Sequence, residues 1–204
     1  RSKCTVLRFF PMRSQNPPPP PCYLLDDQPI PTSTSCLDLG VKVDVTLRFH
    51  AHIRQVANKA GGLAQNFLKS TVCRSPEFML FLWKTHIRPI IDYCSVVWNT
   101  GYLEDLRLLE GVQRRWTKKI TGLETLTYAE RLTKLKLFSV QGRLLRSDLI
   151  QYWKILNNHS CVSPDTLFSL PHTQPHPAPR GHPLKILTPH VSTDTRQRFF
   201  SYRC

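Results

Sequence analysis

Acidic residues are scarce in this chain of 204 residues: 14 Asp and Glu stand against 28 Lys and Arg, a formal net charge of +14. Such a balance excludes an acidic, self-repelling chain and favours polyanionic partners, nucleic acid above all. Long apolar runs are lacking as well. The longest uninterrupted one, Phe78 to Trp83, falls far short of the ~18 residues a membrane helix needs, so no membrane insertion is expected. The seven cysteines are odd in number and contain no Cys-x-x-Cys pair. Free thiols in a reducing, intracellular compartment are expected from this, not a disulfide framework. No secretory signal, Gly-rich phosphate loop or recognisable nucleophile setting occurs. The chain opens on Arg1 without a Met and stops on Tyr202-Arg203-Cys204 without a polar tail; both ends are read as cuts through a longer protein.

Proline is nearly missing from the middle. Of 17 prolines, Pro76 and Pro89 alone fall between residues 32 and 163. A core can form there, whereas the proline-rich ends are poor candidates for regular structure. The run Pro17 to Pro21 reads as an extended loop. Residues 37–158 hold 19 Lys and Arg against 10 Asp and Glu, so most of the excess charge sits on the segment that should fold.

Residues 3–9 are β-prone. Leu37, Leu39, Val41 and Val43 alternate with polar residues or glycine over 36–44, the period of a half-buried strand. The second is expected to pair with one of the earlier strands in a small antiparallel unit. From residue 50 the period becomes 3.6: Ile53, Val56, Ala57, Ala60, Leu63, Ala64, Phe67 and Leu68 share one sector. Ser75-Pro76-Glu77 is a strong helix start. That second helix runs to about Trp98, with Pro89 expected to kink or split it. A third covers 103–120, burying Leu106, Leu109, Val112, Trp116 and Ile120, with Gly122 as its stop. Thr127 opens a fourth through a capping box. Ser139 caps a fifth, whose apolar face is read as Leu145, Leu149, Trp153 and Leu156. The expected fold class is therefore α+β and mostly α: a small N-terminal antiparallel β unit, a helical bundle, and a Pro/His-rich irregular tail over 159–204.

The third helix carries the sharpest functional signal. At about 100° per residue, Arg107, Arg114 and Lys118 fall within ~40° of one another, opposite the apolar face, with Arg115 and Lys119 flanking them. That spacing suits a phosphate backbone; the bland alternative is an ordinary solvated face. The acids Glu104 and Glu110 are not placed to pair with the later cations. Trp83, Trp98, Trp116 and Trp153 read mainly as core. Asp26-Asp27 raises the question of paired-metal chemistry, but its proline-flanked setting suggests an exposed turn. His172, His176, His182 and His190 lack the paired thiols of a structural zinc site. Neither catalytic nor metal-binding residues are assigned.

Five ordered segments resemble the later part of the reverse transcriptase of non-LTR (LINE-type) retrotransposons: Lys3 to Phe9 (KCTVLRF), Leu37 to Asp44 (LDLGVKVD), His86 to Asn99 (HIRPIIDYCSVVWN), Leu109 to Gly122 (LEGVQRRWTKKITG) and Tyr128 to Leu156. With what joins them they cover about three quarters of the chain, and the third and fourth are the most specific as a pair. The closing Arg198-Phe199-Phe200-Ser201 also looks like the family's further C-terminal region. The resemblance implies a palm remnant with a primer-grip-like strand over 1–44. A thumb-like helical domain would occupy 45–122 and a helical extension 123–158, followed by the tail. It further implies an RNA–DNA template–primer duplex as partner and Mg²⁺ as cofactor of the full-length enzyme. The family's aromatic-x-Asp-Asp box, which would precede KCTVLRF, is missing, as are the fingers and the rest of the palm. Trp116 stands where the family commonly has a smaller residue. This fragment is therefore expected to need no cofactor and to hold nucleic acid without polymerising. A basic structural or protein-interaction module, or a functionless relic, is the alternative.

Overall fold

The computed structural model describes residues 4–9, 22–169, 186 and 190–203. The run Pro17 to Pro21 and His172, His176 and His182 lie outside them. The chain is α+β and mostly α. Short strands come first: β1 (Val6–Leu7), β2 (Leu24–Leu25), β3 (Gln28–Pro29), β4 (Thr32–Ser33), β5 (Ser35–Asp38) and β6 (Val41–Asp44). The helices are α1 (His50–Ser70), α2 (Pro76–Leu82), α3 (Arg88–Asp92), α4 (Ser95–Trp98), α5 (Leu103–Thr117), α6 (Tyr128–Leu135), α7 (Val140–Leu156), α8 (Pro164–Leu167), α9 (Asp194–Gln197) and α10 (Phe200–Arg203). No helix among the described residues is long and apolar enough to cross a membrane.

The β region departs from the alternation expected over 36–44. Leu39 and Gly40 both take positive φ, 45° and 86°, which folds the segment back on itself in a two-residue hairpin turn. β5 and β6 are its two arms, paired antiparallel with Cys36 opposite Val43. The apolar alternation ran straight through the turn, so Leu37 and Leu39 are exposed at 68% and 84% while Val41 is buried. The early strand does not pair with this hairpin either. β1 runs parallel to β4, Val6 opposite Thr32.

α1 buries Ile53, Val56, Ala57, Ala60 and Ala64, five of its expected eight, and Leu63, Phe67 and Leu68 pack at the margin. Ser75 caps α2 through its side chain, with Pro76 in the first turn. The second helical stretch is divided near Pro89, which sits in the first turn of α3. Pro89 lacks an N–H, and its ring would press on the Thr85 carbonyl. A π-helical turn over Trp83–Ile87 widens the backbone just ahead of it, the usual accommodation for such a mismatch. A further break comes at Cys94, where φ is 49°.

Met79, Trp83, Ile87, Ile91 and Trp98 from the second helical stretch meet Leu109, Val112 and Trp116 of α5 in one apolar core, which continues to Leu144. Thr127 forms the expected capping box with Glu130, and Ser139 accepts from the Gly142 N–H at the start of α7. The inward face of α7 is not the expected one. Val140, Leu144, Asp148 and Ile155 are buried, whereas Leu145, Leu149 and Trp153 are about half exposed (50%, 49% and 57%). Asp148 explains the turn: it accepts from Asn99 Nδ2 at 2.9 Å and pairs with Arg203 at 2.9 Å. α10 docks with it, Phe200 packing against Ile155 and Phe168.

His52 fastens the hairpin to the helices. It is buried on α1, and its Nδ1 accepts the Lys42 N–H at 3.2 Å. Burial holds its pKa below the ordinary 6.5. A depressed histidine pKa means the unfolded chain binds the proton first, so the contribution is complete above about pH 6.5 and declines as pH falls below it. The urea midpoint should drop between about pH 7 and 5. His52→Gln, whose amide oxygen accepts the same N–H without titrating, should flatten that drop.

Candidate functional site

All five cations singled out from the sequence, Arg107, Arg114, Arg115, Lys118 and Lys119, are exposed. They do not all lie on one helix. α5 ends at Thr117, and Lys118 and Lys119 continue in a tight turn. The Lys118 N–H bonds the Arg114 carbonyl at 3.3 Å and the Lys119 N–H the Trp116 carbonyl at 3.0 Å. Gly122, the expected stop, lies five residues past the helix in its own left-handed turn, φ 79°. The helix ends early because the Thr121 N–H leaves the α5 axis to bond the Arg74 carbonyl at 3.0 Å.

Arg74 is the hinge of that arrangement. Its Nη1 donates to the Thr71 carbonyl at 2.7 Å and its Nη2 to the Leu68 carbonyl at 2.6 Å, satisfying the C-terminal end of α1. The turn carrying Lys118 and Lys119 is thereby held against the last turn of α1. The C-termini of α1 and α5 offer roughly half a negative charge each. Offsetting them accounts for one of these cations, not for the whole set.

The acids of α5 are committed elsewhere. Asp105 is buried and pairs with His50 Nδ1 at 2.6 Å. Glu110 accepts from the Tyr128 hydroxyl and from the Gln141 N–H at 3.2 Å. Glu104 sits in the first turn, the favourable end of the dipole. Among the described residues, none of the five cations pairs with a carboxylate.

Arg114 has a partner of another kind. Its guanidinium lies over the Tyr128 ring at 4.9 Å, and Arg131 lies over the same ring at 5.5 Å while donating to the Arg114 carbonyl at 3.0 Å. Gln113 Nε2 donates to the Tyr128 hydroxyl at 3.1 Å. Burial, with the Glu110 hydrogen bond second, pushes the Tyr128 pKa far up. The ring is a fixed, neutral platform for Arg114. Nothing in the sequence assigns Tyr128 a role of its own, since its contact to α5 joins two elements.

The chain shares 22% identity over 165 residues with an uncharacterised protein of Caenorhabditis elegans, a match spanning 74% of this chain and 78% of that one. No protein-family model matches, and neither does a solved structure. That likeness extends over most of both chains and carries no activity with it.

Other sequence candidates stay apart from this surface. Asp26 and Asp27 occupy the tip of the β2–β3 hairpin with φ of 50° and 59°, both exposed. His190 is exposed, and no group of three or more His, Cys, Asp or Glu able to hold a metal occurs among the described residues. Trp83, Trp98 and Trp116 are core, while Trp153 stands half exposed and stacks on His159 at 5.3 Å. A hollow of about 510 Å³ between α8 and α10 is lined by hydroxyls such as Thr166, Thr195 and Tyr202; among the described residues its lining holds no His or Cys.

Proposed function

We propose that this chain is the part of a non-LTR-type RNA-directed DNA polymerase that holds the template–primer duplex, without the chemistry of copying. The supporting observation is the exposed run of Arg107, Arg114, Arg115, Lys118 and Lys119, which no carboxylate among the described residues pairs with. The five ordered sequence segments add the resemblance. On this reading α5 lies along the duplex and its cations contact phosphates, not base edges, so binding should be nearly indifferent to sequence and fall steeply with salt. Replacing Arg107, Arg114 and Lys118 with Gln should reduce the log–log salt slope for an RNA–DNA duplex by roughly 2–3. An unchanged affinity and slope would reduce the stripe to a solvated face. Primer extension with Mg²⁺ or Mn²⁺ should yield no incorporation, and clear incorporation would overturn the non-catalytic half of the reading.

A second reading has its own observation. The half-exposed ridge of Leu145, Leu149 and Trp153 on α7 is the kind of apolar surface that protein partners cover. A structural or protein-interaction module would bind through that ridge and be insensitive to neutralising α5.

A further inference from the structure

The five cations do not form a uniform stripe. Arg115, Lys118 and Lys119 line a groove between α1 and the end of α5, whose other walls are Gly61, Gln65 and Leu68. Ala64, Val112 and Trp116 line it between those walls. Its volume is about 150 Å³, half the lower end of the ~300–1,000 Å³ typical of whole-ligand pockets. A whole nucleotide is too large for it, and one sugar ring or phosphate group is not. The walls are built rather than incidental. Trp116 is pinned by its Nε1–H donating to the Met79 carbonyl at 3.2 Å. The lysine turn is pinned by the Thr121 to Arg74 bond at 3.0 Å. On the α1 side, a Cβ added at Gly61 would meet nothing within 4 Å. The approach there is open to a ligand backbone.

Three cations around an apolar slot match the two halves of a polynucleotide backbone, an anionic phosphate and a weakly polar sugar. We propose that this groove seats one sugar-phosphate unit of the bound strand, the phosphate held by Arg115, Lys118 and Lys119 and the sugar laid against Ala64, Leu68 and Val112. The proposal rests on the nucleic-acid reading above and sharpens it: α1 is part of the interface, and shape as well as charge sets affinity. Arg114, stacked on Tyr128, and Arg107 then continue the backbone track along α5.

The test fills the groove without touching a charge. Gly61→Leu places a side chain in the open space of α1, and Gly61→Ala is the small control. Gln65→Trp, at an exposed position on the same wall, is a second occluder should Gly61→Leu not fold. Binding of a short RNA–DNA duplex is measured on the full 204-residue chain, with melting curves to confirm folding. Gly61→Ala should bind as the parent does. A folded occluder should lose about tenfold in affinity and roughly 1–2 in salt slope. Adding Arg115→Gln and Lys119→Gln to the occluder should cause little further loss. Unchanged duplex binding by a folded occluder overturns the groove assignment. If the Arg107, Arg114 and Lys118 triple variant loses binding in that same experiment, the broader reading survives while the groove fails. If the parent chain does not bind the duplex, both fail. An equal loss for poly-glutamate, which offers carboxylates without sugar or phosphate, would make the groove a general anion site and overturn the assignment.

Discussion

Trp116→Ala is expected to cost about 3–5 kcal/mol of folding stability, a large share of what a domain of this size holds in reserve. Trp116 is 1% exposed and faces Trp83 with ring centroids 6.4 Å apart. It sits where α2, α5 and the π-helical turn meet, so no single neighbour can collapse into the space it would leave. Its indole N–H bond to the Met79 carbonyl would also be lost, though that carbonyl keeps the Trp83 N–H. Trp116→Phe retains an aromatic body and should lose ~1–2 kcal/mol. Leu109→Ala, equally buried in the same core, belongs at ~2–4 kcal/mol. Urea denaturation followed by far-UV circular dichroism is the suitable measurement, because removing Trp116 alters the fluorescence signal itself. Leu109 does not line the groove beside α1, so Leu109→Ala, where it remains folded, should keep the parental salt slope for duplex binding. Leu109 and the α5 cations then separate stability from binding on opposite faces of that helix. A loss below about 1 kcal/mol for Trp116→Ala would mean that the core around Trp83 repacks freely, contrary to its density.

The residues that made the helices legible acted locally. Ser75-Pro76, the Thr127–Glu130 capping box and Ser139 each satisfy orphan backbone donors within a few positions, so their signals sit in consecutive residues. The apolar stripe of α1 and the cations of α5 were legible for the same reason. What could not be read was set by contacts between elements. The Leu39-Gly40 turn was hidden because period-two alternation continues unbroken through a two-residue hairpin. The end of α5 was misplaced because Thr121 bonds Arg74, nearly fifty residues earlier in the chain. The groove beside Gly61 belongs to two helices at once and has no sequence pattern of its own.

The buried acid of α7 is the clearest such case, and Asp148→Ala should show it, at about 3–5 kcal/mol. Two stripes compete to face the core on this helix. The more apolar one, Leu145, Leu149 and Trp153, loses to Val140, Leu144, Asp148 and Ile155, which includes a carboxylate 2% exposed. A buried carboxylate is tolerated only when its lone pairs are filled. Here Asn99 Nδ2 donates at 2.9 Å, and Arg203 donates Nη2 to one oxygen at 2.9 Å and Nε to the other at 3.0 Å. Arg203 Nη2 also reaches the Val96 carbonyl at 2.6 Å, so α4, α7 and α10 share one polar knot. Alanine would leave the Arg203 guanidinium without its carboxylate, with the Val96 and Arg198 carbonyls as its remaining partners, and the buried Asn99 amide without its acceptor. That penalty, more than the loss of attraction, makes the change costly. Replacing both partners, Asp148→Leu with Arg203→Met, removes the stranded groups together and should recover most of the lost stability. The single variant should also release α10, exposing Phe200 to limited proteolysis, while the double variant keeps it docked through Ile155 and Phe168. Were the double variant no more stable than Asp148→Ala, the knot would be holding α7 by geometry that apolar packing cannot replace. The apolar stripe would then be expected to turn inward whenever Asp148 is lost, quenching the exposure of Trp153.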